Sequence, residues 1–169
     1  MCFLSCFSYK DSVAIELSHS ELDKRQFIGF YIDSSGCYVY KYVRVFYSYI
    51  FINQNLELAI KLNFDGVHLT SQQFDKIKQA KEVGLKTIIS CHTFEEVDKA
   101  ISLGANRVTY SPIFYTPNKG EPKGIEKLCE AVEKYDIDII ALGGIISKED
   151  IDEVKDSGAK GFASIRYFV

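Results

Sequence analysis

The sequence predicts an α/β fold in which strands and helices alternate into a barrel. Three observations carry that prediction. From about residue 48 onward, short apolar runs alternate with segments of helical period. Helix start and stop signals punctuate the same stretch. Two loops suited to gripping phosphate lie late in the chain, at residues 111–120 and 141–145.

Strands are expected at 13–17, 49–53, 65–69, 86–91, 107–114, 137–142 and 161–168, where apolar and β-branched residues cluster. Between them, Phe74, Ile77 and Ala80 share one helical face. Val97, Ala100 and Ile101 share another, and Leu128, Ala131 and Val132 a third. Thr70-x-x-Gln73, Thr93-x-x-Glu96 and Ser147-x-x-Asp150 have the spacing of capping boxes, in which side chains satisfy the free N–H groups of a helix start. Gly84, Gly104 and Gly158 stand where a helix ends and a strand begins. Repeated strand–helix units give a parallel sheet, either open and doubly wound or closed as a TIM-type (β/α)₈ barrel. The late pair of phosphate-type loops favours the barrel, by analogy with the site that follows its last strands.

The first 50 residues are less regular and hold 12 of the 23 Phe and Tyr residues, so they read as a divergent part of the same core. Residues 21–33 suggest a helix broken by Ser34-Ser35-Gly36, and 37–47 show no helical period. A full barrel takes about 200 residues or more. The expectation is therefore one domain, TIM-barrel-like but incomplete, with its first βα unit and final helix missing or altered. Residues 1–47 form the divergent, aromatic-rich part and 48–169 the regular barrel region. Open sheet edges are a liability, so the aromatic segment or a second copy in a homodimer is expected to cover the gap.

Composition narrows the partners. The chain has 169 residues, 47% hydrophobic and 25% charged, with a net charge of −3 and no basic block, which argues against nucleic acid. No apolar run approaches the roughly 18–20 residues that span a membrane. The apolar start Met1-Cys2-Phe3-Leu4 lacks the basic region of a signal peptide, and a cytoplasmic protein is expected. Five scattered cysteines without C-x-x-C, and only three histidines, argue against zinc and for reduced structural thiols.

The loops suggest the chemistry. Thr116, Asn118 and Lys119 bring hydroxyl, amide and ammonium donors. Gly143 and Gly144 let backbone N–H groups approach an anion closely. Ser147 is placed to cap the helix that follows, whose N-terminus favours an anion. His68 lies mid-strand and reads as packed or pore-lining. Cys91 has nothing beside it that would activate a thiolate.

In order along the chain stand Phe51-Ile52-Asn53-Gln54 with Leu58-Ala59, Asp65-Gly66-Val67-His68-Leu69, Ser90-Cys91-His92-Thr93, Ser111-Pro112-Ile113-Phe114-Tyr115-Thr116-Pro117-Asn118-Lys119, and Ala141-Leu142-Gly143-Gly144-Ile145. Over residues 48–169 this series resembles the thiamine phosphate synthase/TenI superfamily. The resemblance implies a TIM barrel acting in thiamine biosynthesis on a phosphorylated thiazole or thiamine.

The departures point to a branch. Synthases of this superfamily join a pyrimidine diphosphate to a thiazole phosphate with magnesium. Their basic run after the second strand is matched only by Glu16-Leu17-Ser18-His19-Ser20. Their Asn-Asp pair is Asn53-Gln54, and their Gly-Gln-x-Asp is Thr70-Ser71-Gln72-Gln73. Magnesium is a hard cation that wants carboxylate or phosphate oxygen, and a Gln carbonyl replaces these poorly. The TenI branch shares such losses. Its chemistry is tautomerisation of a thiazole carboxylate phosphate, a proton transfer that needs no metal.

The resemblance thus implies His92 as the catalytic acid/base, a residue type suited to the task because the unperturbed pKa of a histidine is about 6.5. It implies ligand contacts at Asn53, Ser90, Thr116, Asn118, Lys119, Gly143, Gly144 and Ser164, with Arg166 nearby, and no metal. The expected partner is a small phosphorylated thiazole or thiamine. Two alternatives stand beside this reading: a divergent, magnesium-dependent thiamine phosphate synthase, and a non-catalytic protein that binds a phosphorylated ligand.

Overall fold

The computed structural model describes residues 2–5, 13–17, 31–33, 36–38, 49–164 and 166–167. Four strands come first: β1 (Cys2–Ser5), β2 (Val13–Leu17), β3 (Tyr31–Asp33) and β4 (Gly36–Tyr38). Strict alternation follows, with β5 (Tyr49–Asn53), α1 (Leu56–Lys61), β6 (Gly66–Leu69), α2 (Asp75–Glu82), β7 (Lys86–Cys91) and α3 (Phe94–Leu103). It continues through β8 (Arg107–Tyr110), α4 (Gly124–Lys134), β9 (Asp138–Leu142), α5 (Lys148–Asp156) and β10 (Gly161–Ser164).

Strands β5 to β10 pair in chain order, all parallel. The sheet closes into an eight-stranded barrel, in the order β1-β10-β9-β8-β7-β6-β5-β2. The α/β barrel is therefore as expected, and its first unit is altered. Strand β1 lies parallel to β10, but β2 runs antiparallel to both β1 and β5. The N-terminal segment thus supplies the strands that fill the gap. With that edge paired, the reason for covering it with a second copy falls away.

Some boundaries differ from expectation. The helix expected at 21–33 is contradicted at its end, where Tyr31–Asp33 pairs antiparallel with Gly36–Tyr38. The rest of it, and most of 37–47, lies outside the described residues. Strand β8 stops at Tyr110 rather than 114, and a loop begins at Ser111. The last strand likewise stops at Ser164, with Arg166 and Tyr167 in a turn.

Local chemistry explains the helices. Ser147 and Asp150 form a complete capping box on α5. Thr93 caps α3, accepting from the Glu96 N–H at 3.2 Å, and Gly104 ends that helix with φ 82°. Thr70-x-x-Gln73 is not a helix cap. Gln73 Oε1 accepts from the Thr70 N–H at 3.1 Å, but this closes a turn, and α2 starts only at Asp75. The helices bury pairs three residues apart, Ile77 with Ala80, Val97 with Ala100, Leu128 with Ala131, and Ile151 with Val154. Ile101, expected on the buried face of α3, is 39% exposed.

Strand alternation then divides the core in two. Ile52, Val67, Leu69, Ile89, Cys91, Val108, Tyr110, Ile139 and Ala141 pack outward against the helices. Burying each large aliphatic side chain stabilises the fold by roughly 1.5–3 kcal/mol. Phe51, Ile88, Ile140 and Ala163 fill the barrel interior. Gly66 leaves the space Phe51 needs, since a Cβ there would stand 2.4 Å from the Phe51 ring.

Candidate functional site

The inward face that carries Phe51, Ile88 and Ile140 turns polar two residues further along, toward the C-terminal ends of the strands. Asn53, His68, Ser90 and Thr109 occupy it, followed by His92 and Ser111. This is the end of a (β/α) barrel where βα loops build a site.

Asn53 is 7% exposed and pairs in register with His68. The His68 Nε2 lies 3.2 Å from Ser90 Oγ. Burial pushes the His68 pKa down to about 4, so the ring is neutral at pH 7. Thr109 stands beside Ser90 in register, and its buried hydroxyl has no partner among the described residues. His68 is thus pore-lining, one of its two anticipated settings.

His92 follows the last residue of β7. Its Nδ1 lies 3.1 Å from the Ser111 carbonyl oxygen and 3.2 Å from the Ser111 hydroxyl. A carbonyl cannot donate, so the hydrogen bond places the proton on Nδ1. In the neutral ring Nε2 then carries the lone pair, and it makes no hydrogen bond to another described residue. The His92 backbone N–H donates to the Glu96 carboxylate, which ties the residue to the first turn of α3. Cys91 points the other way, into the helix-facing core. Burial first and the Glu96 carboxylate second push its thiol up to about 12, so it is no nucleophile at neutral pH.

The two phosphate-type loops meet. Ile113 N–H donates to Leu142 O, and Phe114 N–H to Gly143 O, both at 3.0 Å. Gly143 and Gly144 have φ 97° and 75°, in the region that favours glycine. A Cβ on Gly144 would stand 2.5 Å from the Phe114 backbone, and one on Gly143 would stand 2.9 Å from Pro112 and 3.2 Å from Thr116 Oγ1. Only glycines admit so close an approach. Their own N–H groups donate to no other described residue. Ser164 Oγ donates to the Ile145 carbonyl at 2.6 Å and accepts from the Tyr167 N–H at 3.2 Å. It therefore fastens the glycine turn to β10. Thr116 Oγ1 donates to Phe114 O at 3.2 Å, while Asn118 (φ 62°) and Lys119 are exposed on the turn beyond.

The helix after the glycine pair does not offer its end to an anion. The Asp150 carboxylate already accepts from the Ile146 and Ser147 N–H groups at 2.8 and 2.9 Å. Burial alone would raise the Asp150 pKa, but these bonds, with one from the Ser147 hydroxyl, hold it below the usual carboxylate range.

Magnesium does not fit the positions where the resemblance would put it. Asn53, Gln54 and residues 70–73 carry no carboxylate. No group of three His, Cys, Asp or Glu among the described residues could hold a metal. Gln73 is also already engaged, accepting from Thr70 at Oε1 and donating from Nε2 to Gln54 O at 3.0 Å. Sequence reasoning missed this contact. It also missed Ser111 as the orienting partner of His92. The signal for Ser111 was in the alternation, since residues 107, 109 and 111 share the inward face. A hydrogen bond between two neutral amides leaves no such pattern.

The family described as "Thiamine monophosphate synthase" matches residues 34–168. The thiamine-phosphate synthase of Dictyoglomus turgidum is 36% identical over 126 residues, covering 71% of this chain and 56% of that protein. That of Latilactobacillus sakei subsp. sakei is 33% identical over 128 residues, covering 72% and 57%. This chain therefore spans a little over half the length of these relatives. Among solved structures, the thiamine phosphate pyrophosphorylase from Pyrococcus furiosus superposes with a TM-score of 0.60 at 30% identity, covering 68% of this chain and 55% of that one. No helix among the described residues is long and apolar enough to cross a membrane.

Proposed function

This chain belongs to the thiamine monophosphate synthase family, and from that premise we propose that it is a TenI-type protein that binds a thiazole or thiamine phosphate and tautomerises the thiazole without a metal. The observation that carries this reading is the His92–Ser111 contact at 3.1 Å. It commits Nδ1 as a donor and leaves the Nε2 lone pair as a base in a polar mouth. In the proposed reaction Nε2 takes a proton from one ring position of the bound thiazole. The imidazolium returns it at another, so the ring is isomerised with no net gain or loss of atoms. The Ser111 carbonyl holds the ring in place throughout by accepting from Nδ1. The Gly143 and Gly144 N–H groups, with Thr116 and Lys119 toward the outside, hold the phosphate. Asn53 and Ser90 line the wall against the ring, and Asn118 shapes the outer turn.

His92→Asn keeps a polar side chain and removes the base. Its tautomerase turnover is expected to fall by about 10²–10⁴-fold, with thiamine phosphate binding retained by calorimetry. Unchanged turnover would remove His92 from the chemistry.

A second reading rests on the names of the relatives, which are thiamine-phosphate synthases. It makes the chain a magnesium-dependent transferase. Magnesium-dependent release of pyrophosphate from a pyrimidine diphosphate and thiazole phosphate would establish it. Ligand binding without turnover in either assay would leave a binding protein.

A further inference from the structure

We infer that Gln73 is a positioning residue which joins two loops of the barrel mouth by its carboxamide, at the place where a metal-dependent site would need a cation to join them. The inference rests on the reading of the mouth as the ligand site. Its basis is the backbone of the β5–α1 corner. Gln54 has φ 63°, a left-handed conformation that a non-glycine residue adopts at a cost. Its backbone N–H and its carbonyl, on the peptide units either side of Cα, are both held by neighbouring structure. The Gln54 N–H donates to His68 O at 2.7 Å, and its carbonyl accepts from Gln73 Nε2 at 3.0 Å. The next N–H, of Asn55, turns back to Asn53 O at 2.8 Å. The corner therefore sets the outer end of Asn53, the buried amide of the mouth.

The orientation of the Gln73 amide follows from its partners. Oε1 faces the Thr70 N–H, which can only donate, and Nε2 faces the Gln54 carbonyl, which can only accept. The amide is the neutral group that satisfies both at once. A carboxylate at position 73 would still accept from Thr70 but would set oxygen against oxygen at Gln54. A divalent cation between those oxygens would relieve that clash, because hard cations are bound by carboxylate and carbonyl oxygen. In this chain the glutamine does the joining, and the mouth is closed at that point without metal.

Three proteins test this: wild type, Gln73→Glu and Gln73→Met, each with and without 10 mM magnesium chloride, an about saturating level for a weak oxygen site. The first readout uses no ligand: hydrogen exchange of the Gln54 and Asn55 amides. Exchange is expected to rise about fivefold in both variants, the range for one lost hydrogen bond. Magnesium is expected to reverse the rise in Gln73→Glu alone. The second readout is thiamine phosphate affinity by calorimetry, which should weaken by about the same factor and recover with magnesium only in Gln73→Glu. Wild type should respond to magnesium in neither measurement. Unchanged exchange in Gln73→Met, or a magnesium response of wild type, would overturn the inference. Absence of thiamine phosphate binding by all three proteins would instead defeat the ligand reading, and the exchange data would still decide the role of Gln73.

Discussion

His68 sits inside the barrel, 8% exposed, hydrogen-bonded to Ser90 and surrounded by too little water to hold a charge. Its pKa falls from 6.5 to about 4. The unfolded chain therefore binds a proton there more readily than the folded one between those values. The stability contributed by the neutral ring is complete above pH 6.5 and is lost as pH falls toward 4, by an amount on the order of 3 kcal/mol. His68→Gln removes this titration while keeping a polar side chain. The slope of unfolding free energy against pH between 4 and 6.5 should flatten in the variant, measured by urea titration. An unchanged slope would mean that other groups carry the acid sensitivity. His92 differs because its hydrogen bonds to Ser111 come from one side, which leaves Nε2 without a partner among the described residues. The sequence marked His92 and Ser90 through a motif. It could not pair His68 with Ser90 or His92 with Ser111, because such contacts cross between strands 19 and 22 residues apart.

Among the elements, α5 tests how much a cap contributes. Ser147 and Asp150 satisfy one another across the first turn, and Asp150 also takes the Ile146 N–H. Ser147→Ala is expected to lower stability by about 1 kcal/mol, which moves the melting temperature by roughly 2–4 °C in a chain of this size. No shift by calorimetry would show that Asp150 alone suffices. The same spacing at Thr70 and Gln73 gave no helix start, and the difference is physical. At Ser147 the following residues enter a helix directly. Gln73 reaches outward to Gln54 while the chain makes one more turn before Asp75. A three-residue spacing reports that two side chains can meet the backbone, and the tertiary partner decides what the meeting does.

At the scale of the molecule, the first two strands close the barrel. β1 and β2 lie between β10 and β5, so they protect edges that would otherwise offer unpaired N–H and C=O groups. Deleting residues 1–17 should expose both edges. Self-association or precipitation is then expected, detected by comparing the sedimentation of the deletion variant and the full chain at micromolar concentration. A soluble, monomeric deletion variant would mean that β1 and β2 are dispensable for closure. This closure was only partly legible. The run at 13–17 reads as a strand, but 2–5 is too short to be distinguished from an apolar terminus, and neither reports its direction.

By itself the sequence determined the repeating strand–helix order from residue 48, most helix caps and the glycine pair. These depend on residues close together in the chain, where periodicity and backbone preference act directly. It also determined the family, because five motifs stand in order. Only the tertiary structure decided that β2 runs antiparallel, that Ser111 orients His92, that Ser164 is spent on the glycine turn, and that Gln73 ties the mouth. Each of these is a contact between residues distant in the chain, and its energy depends on which backbone groups the closed barrel brings within hydrogen-bonding reach.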